Sequence, residues 1–210
     1  MVITHYGGQC FKVTFGDLTL AFDPPGKDSK SLKLNKFGSD VVFVSRNHPD
    51  MNGIEQVAHG TKEPFPITGP GEYEVAGVRV RGYNAPTLYG GEGLTTIYLL
   101  ELEDMTLLFL GALSESKIPP ELGETLDTVD VLFIPIGGEG VMNAQEAHKL
   151  AVKLEPKIII PMHYDSIGEK GALTQFLKQD GSDAKPVEKA TLKAKEVEKE
   201  DGTIIVLASA

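Results

Sequence analysis

One cysteine, Cys10, and no tryptophan occur among the 210 residues of this chain. A lone cysteine excludes an internal disulfide and a zinc site built on several thiolates. Set in Gln9-Cys10-Phe11-Lys12-Val13, it is expected to be an inert thiol in a buried strand, because free cysteine is among the most buried residue types. No uninterrupted apolar run approaches the ~20 residues of a membrane-spanning helix. The opening Met-Val-Ile-Thr-His-Tyr-Gly-Gly lacks the basic and apolar regions of a secretory leader. A cytoplasmic location is expected. Cations are in short supply as well, with 20 Lys and Arg against 30 Asp and Glu and a formal net charge of −10. Gripping nucleic acid or an anionic membrane requires clustered Lys and Arg, so neither partner is expected. A small basic pocket inside an acidic shell remains compatible with this balance.

What is present is the composition of an ordinary globular protein, 41% apolar and 24% charged. The length suits a single domain over residues 1–210 with a sizeable core. Short apolar runs bounded by Gly, Pro, Asn and Asp predict strands at Val2–Tyr6, Phe11–Phe15 and Leu18–Phe22. Hairpins are predicted across Ala76-Gly77 and Glu103-Asp104. The continuous apolar runs Asp40–Ser45, Val129–Ile136 and Lys157–Met162 suit strands buried on both faces. Between the last two, Ala144, Ala147, Leu150, Ala151 and Leu154 form one helical stripe, with Asn143 as N-cap, Glu146 three residues on and Pro156 as terminator. Leu173–Lys178 predicts a second helix. The sign-alternating stretch 185–201, including Thr191–Val197, reads as a solvated strand face and turn, followed by a strand over Thr203–Ala208. Gly-Gly-Glu-Gly occurs at 90–93 and again at 137–140, too short to be a repeat unit. Strand hairpins followed by a strand–helix–strand unit predict an α/β or α+β architecture of two sheets covered by helices.

The segment that carries most chemistry is Ser45-Arg46-Asn47-His48-Pro49-Asp50-Met51, directly after the buried run Val41–Val44. Together with Leu20-Ala-Phe-Asp-Pro24, Gly69-Pro-Gly-Glu-Tyr-Glu-Val75, Thr96-Ile-Tyr98, Val131-Leu-Phe-Ile-Pro-Ile-Gly-Gly138 and Pro156-Lys-Ile-Ile-Ile-Pro-Met-His163, it resembles the metallo-β-lactamase superfamily. Within that superfamily it is similar to small bacterial zinc-dependent hydrolases related to L-ascorbate-6-phosphate lactonase. The resemblance runs from Val2 to about Asp180 and implies an αββα sandwich with a dinuclear metal site at the sheet edges.

The resemblance also implies a His-x-His-x-Asp-His loop, a later His, a bridging Asp after Gly, and a final His. This chain supplies Arg46, His48, Asp50 and Met51 in the loop, has no His in Tyr83-Asn-Ala-Pro-Thr-Leu88, reads Gly111-Ala112 where the bridging Asp belongs, and retains His163. The residual metal positions are therefore His48, Asp50 and His163, three of the seven implied. Catalytic zinc keeps about three protein ligands plus water, and neither half of this site reaches that number. Asp50, left without two dications, is costly to bury and can pair bidentately with Arg46. Arg46, His48 and His163 hold a small anion in one reading; in the other the Arg46–Asp50 bridge is purely structural and the histidines are satisfied within the fold. The leading expectation is a non-hydrolytic member of the fold that binds a small anion or serves as an interaction surface. The alternative is a hydrolase of a small phosphorylated, lactone or other ester substrate, with zinc, manganese or iron on a completed site and Asp50 as its catalytic residue. A ribonuclease-type variant is disfavoured by the acidic balance.

Other candidates have ordinary readings. Ser45, Ser114 and Ser166 lack a Gly-x-Ser-x-Gly setting, which speaks against a serine hydrolase built on His163-Tyr164-Asp165. His5 and His59 have no ligand spacing, and His148 lies off the apolar stripe, facing solvent. Asp23 before Pro24-Pro25 either supports the site loop or forms a turn.

Overall fold

The computed structural model describes residues 1–33, 35–60 and 63–210. Among these, the strands form two mixed sheets. The first is ordered β12 (Ala190–Thr191), β1 (Val2–His5), β2 (Phe11–Phe15), β3 (Leu18–Phe22), β4 (Val41–Phe43) and β5 (Phe65–Ile67). It is antiparallel as far as β3 and parallel from β3 to β5. The second is ordered β13 (Thr203–Ile204), β11 (Ile158–Met162), β10 (Val131–Pro135), β9 (Met105–Phe109), β8 (Gly93–Leu102), β7 (Val78–Thr87) and β6 (Gly71–Val75). Here β13, β11, β10 and β9 are parallel, and β9 through β6 form antiparallel hairpins.

The two sheets share one core. Ile3, Phe11, Phe22 and Phe43 from the first meet Tyr98, Phe109, Phe133 and Ile160 from the second. Phe22 stacks on Phe43 with ring centroids 4.6 Å apart and lies 5.0 Å from Phe109. The continuous apolar runs are explained by a second buried layer. Leu108, Leu132, Ile134 and Ile159 point away from the sheet interface into a cluster with helices α1 (Pro120–Thr125), α2 (Ala144–Leu154) and α3 (Ala172–Asp180). Ala147, Leu150 and Ala151 are the face of α2 that closes it, as the stripe predicts. Asn143 caps α2 by accepting from the Gln145 and Glu146 amides, and the Glu146 carboxylate returns to the Asn143 amide. On the opposite flank, Ala21, Val42 and Val44 are covered by Val57, Phe37 and the 3-10 turn Ile54–Gln56.

Three expectations need correction. The stretch Thr191–Val197 is not a strand beyond Thr191; it continues into a short helix, α4 (Ala194–Val197). Ala194 and Val197, three residues apart, both pack on the core, a helical spacing that the alternating charges around them obscure. The closing strand pairs in the second sheet only over Thr203–Ile204. Beyond that, Leu207 bridges to Val187 and Ser209 to His5, so the tail leaves one sheet to meet the other. His148 does not face solvent freely, since its Nε2 lies 3.6 Å from Asp180 Oδ1 at the α2–α3 contact. Cys10 is buried and free as expected, although it precedes β2 rather than lying within a strand.

A plugged site at the ends of the parallel strands

The loops that follow β4, β9, β10 and β11 gather at the carboxyl ends of those strands, the usual place for a site in a parallel sheet. The first loop begins at Ser45. Asp23, fully buried at the end of β3, accepts from both the Ser45 amide and the Ser45 hydroxyl at 2.6 Å. Of the two roles open to it, support of the site loop is the one that its contacts serve. Burial raises the Asp23 pKa to about 7, against the opposing pull of the two Ser45 hydrogen bonds. The loop then turns tightly. His48 N–H donates to the Arg46 carbonyl, Met51 N–H to the His48 carbonyl, and Asp50 N–H to His48 Nδ1 at 3.2 Å. Nδ1 also lies 3.6 Å from Asp50 Oδ2, but a nitrogen that accepts an amide proton cannot donate to that oxygen.

Asp50 is 6% exposed. Its expected partner, Arg46, goes elsewhere and donates to the carbonyls of Leu94 at 3.2 Å and Gly91 at 2.9 Å. Asp50 instead accepts two hydroxyl hydrogen bonds, from Ser29 to Oδ1 at 2.5 Å and from Tyr89 to Oδ2 at 2.6 Å. Two hydroxyl donors solvate a buried carboxylate without a counter-charge.

Tyr89 is the residue around which the site is organised. It sits in the loop between β7 and β8, with ring centroids 4.9 Å from His48 and 4.6 Å from His163. Its ring packs against Met51, Ala112 and Val141. Met51 and Ala112 stand at two of the ligand positions that the resemblance implies, and the space between His48, Asp50 and His163 is filled by a phenol and walled by apolar side chains. Burial and then the Asp50 carboxylate push the Tyr89 pKa up, keeping its hydroxyl a donor.

His163 closes the far side. Its backbone is left-handed, φ 60°, and its N–H donates to the Gly8 carbonyl. Its Nδ1 lies 2.9 Å from Gln9 Nε2, and its own Nε2 is buried with no hydrogen-bond partner among the described residues. Burial lowers the His163 pKa to about 3, so the ring is neutral. An unpartnered buried polar atom of this kind costs about 1–3 kcal/mol.

The structure therefore brings His48, Asp50 and His163 to one place, with Arg46 at its rim. Sequence reasoning missed Tyr89, Ser29 and Gln9. The signal for Tyr89 was legible: the segment Tyr83–Leu88 lacks the implied His, and the next residue is a tyrosine followed by Gly90-Gly91. The two Gly-Gly-Glu-Gly segments also meet here. Leu88 N–H donates to the Gly140 carbonyl, and a Cβ on Gly140 would lie 2.7 Å from Tyr89 Cα. The remaining candidates have structural settings. Buried His5 contacts the Leu207 and Gly8 carbonyls, and His59 is exposed.

Zinc, manganese or iron does not fit these residues as they stand. Among the described residues, no group of three or more His, Cys, Asp and Glu is arranged to hold a metal ion. Both Asp50 oxygens already accept hydroxyl protons, and Ala112 cannot bridge two ions.

The beta-lactamase superfamily domain matches residues 2–163. A Listeria monocytogenes protein named a metal-dependent hydrolase is 26% identical over 205 residues, covering 79% of this chain and 86% of that protein. One from Bacillus subtilis, also named a metal-dependent hydrolase, is 25% identical over 197 residues, covering 79% and 86%. The crystal structure of a Thermotoga maritima protein, described as a candidate Zn-dependent hydrolase of the metallo-β-lactamase superfamily, aligns with a TM-score of 0.77 at 28% identity, covering 98% of this chain and 97% of that one. Among the described residues, no helix is long and apolar enough to cross a membrane. The two mixed sheets, the site at the strand ends and the family match together place this chain in the beta-lactamase superfamily, with the metallo-β-lactamase fold.

Proposed function

We propose that this chain is a non-hydrolytic member of its superfamily that binds a small anion at the mouth of the inherited site. The observation that carries this reading is Tyr89, whose hydroxyl is bound to Asp50 and whose ring lies against both retained histidines. Arg46 and half-buried His48 form the mouth. A guanidinium has five N–H donors, and two hydrogen bonds to carbonyls leave the rest for a phosphate or carboxylate. His163, expected as a third anion ligand, is neutral and lies beneath Tyr89, so the anion reading rests on Arg46 and His48.

The relatives favour a second reading, metal-dependent hydrolysis of a small phosphorylated, lactone or other ester substrate, and they speak for it more strongly than for the first. Those from Listeria and Bacillus are named metal-dependent hydrolases, and the Thermotoga protein is described in terms of zinc. Under it, His48, Asp50 and His163 would need a further donor from elsewhere in the chain or from a partner subunit.

Elemental mass spectrometry after dialysis against zinc, manganese and iron separates the two. Less than about a tenth of an equivalent of each metal, with phosphate binding that Arg46→Ala weakens at least ~10-fold, is expected for the first reading. Near-stoichiometric metal that a His48→Ala/His163→Ala variant loses would establish the second and overturn the first.

A further inference from the structure

Two buried polar atoms near Tyr89 have no hydrogen-bond partner among the described residues, His163 Nε2 and Gln9 Oε1. Both residues are essentially sealed from solvent, at 0% and 1% exposure. Tyr89 covers this ground with a single hydroxyl, which is committed to Asp50. The resident side chain thus satisfies one side of the site and leaves the other bare.

The segment that carries Tyr89 is the glycine-rich tip of the β7–β8 hairpin. It reads Leu88-Tyr89-Gly90-Gly91-Glu92-Gly93, with Gly90 and Gly91 at φ 70° and 105°. Two of its hydrogen bonds are internal or nearly so, Gly91 N–H to the Leu88 carbonyl and Tyr89 N–H to Thr87 Oγ1. It is tied to other elements by the Tyr89 hydroxyl to Asp50, by a 3.2 Å bond from Leu88 to Gly140 and by the rim contact from Arg46 to Gly91, and Gly93 pairs with Thr87 at the start of β8. Gly90 lies so close to His48 that a Cβ there would come within 2.9 Å of Nε2.

We propose that the space between Asp50 and His163 is a binding site for a small neutral ring bearing adjacent hydroxyls, and that the Tyr89 phenol is an internal occupant which such a ligand displaces. The chemistry of the walls selects this class. The Asp50 carboxylate takes a hydroxyl donor and repels an anion. Imidazole rings at 4.9 and 4.6 Å show the spacing that a flat ring occupies, and Met51, Ala112 and Val141 supply its apolar contacts. A second hydroxyl, next to the first, provides the partner that His163 Nε2 lacks, acting as donor or acceptor according to the tautomer. The proposal rests on the metal-free reading, because Asp50 must be free to accept from a hydroxyl.

The test is calorimetric titration of the full chain and of Tyr89→Ala with phenol, catechol and benzene, beside a zinc titration of both proteins. Tyr89→Ala is expected to bind phenol, to bind catechol about 10-fold more tightly than phenol, and to bind benzene at least 10-fold more weakly. The wild-type protein is expected to bind catechol at least 10-fold more weakly than the variant, since its own phenol competes. Failure of a folded Tyr89→Ala to bind either hydroxylated ring, or equal binding of benzene and phenol, overturns the proposal. Zinc uptake by the wild type overturns the metal-free reading instead, which separates the two failures. Should the variant not fold, histidine side-chain 15N NMR of the wild type with millimolar catechol decides: a shift at His163 Nε2 supports the proposal, and an unmoved resonance overturns it.

Discussion

Tyr89 donates its hydroxyl to Asp50 Oδ2 across 2.6 Å, joining the β7–β8 loop to the loop after β4 between His48 and His163. The relation makes a phenol, and not a cation, the partner of this buried carboxylate.

Tyr89→Phe keeps the ring contacts and deletes that donor. A hydrogen bond to a charged group contributes about 1.5–3 kcal/mol, and the half-buried position of Tyr89 brings the expected loss to about 1–2 kcal/mol. Urea unfolding of the two proteins measures it. Unchanged stability would mean that Asp50 is not held by Tyr89.

Asp23 and His163 are expected to act on acid stability with opposite sign. The Asp23 pKa is raised from 3.8 to about 7, so the folded state holds a proton that the unfolded chain releases, and its contribution fades as pH climbs from about 4 to 7. The His163 pKa is lowered from 6.5 to about 3, so its contribution is lost as pH falls from about 6.5 to 3. Between pH 4 and 6.5 the two slopes oppose each other. Asp23→Asn should expose a loss of up to about 1.4 kcal/mol per pH unit on acidification, and His163→Asn a loss of similar size on going the other way. Unfolding free energies at half-unit pH steps test this. Parallel curves for the two variants would refute it.

Gly137 packs on the backbone of His163, where a Cβ would lie 1.9 Å from the carbonyl oxygen. Gly137→Ala is expected to destabilise the protein by more than about 3 kcal/mol, since neither main chain has room to yield. A thermal midpoint within a few degrees of wild type would show that the two loops can separate.

Asn143→Ala removes the cap of α2 and both amide hydrogen bonds to its side chain. The expected cost is about 1 kcal/mol, read as a drop in the denaturation midpoint with the slope unchanged. No drop would mean that the helix start is held by packing alone.

Much of the fold was written locally. The spacing of Ala144, Ala147, Leu150 and Ala151, with Asn143 and Glu146 at its start, specifies α2 before any tertiary contact forms. The doubly buried runs around Val131–Pro135 and Ile158–Met162 likewise announce interior strands. The charged stretch near Ala194 misled because its two core contacts, three residues apart, are outnumbered by exposed Lys and Glu.

The site divides differently. Sequence by itself determined which side chains stand where the resemblance implies ligands: Arg46 carries a cation, Met51 a thioether and Ala112 no donor at all, whatever the fold does with them. Tertiary structure decided what fills the space and who balances Asp50. Arg46 is four residues from Asp50 in the chain but is drawn to the Leu94 and Gly91 carbonyls, while Tyr89 and Ser29, at separations of 39 and 21 residues, deliver the hydroxyls. A buried carboxylate takes whatever donors the packing aims at it, and that direction is set by loops folded over the strand ends.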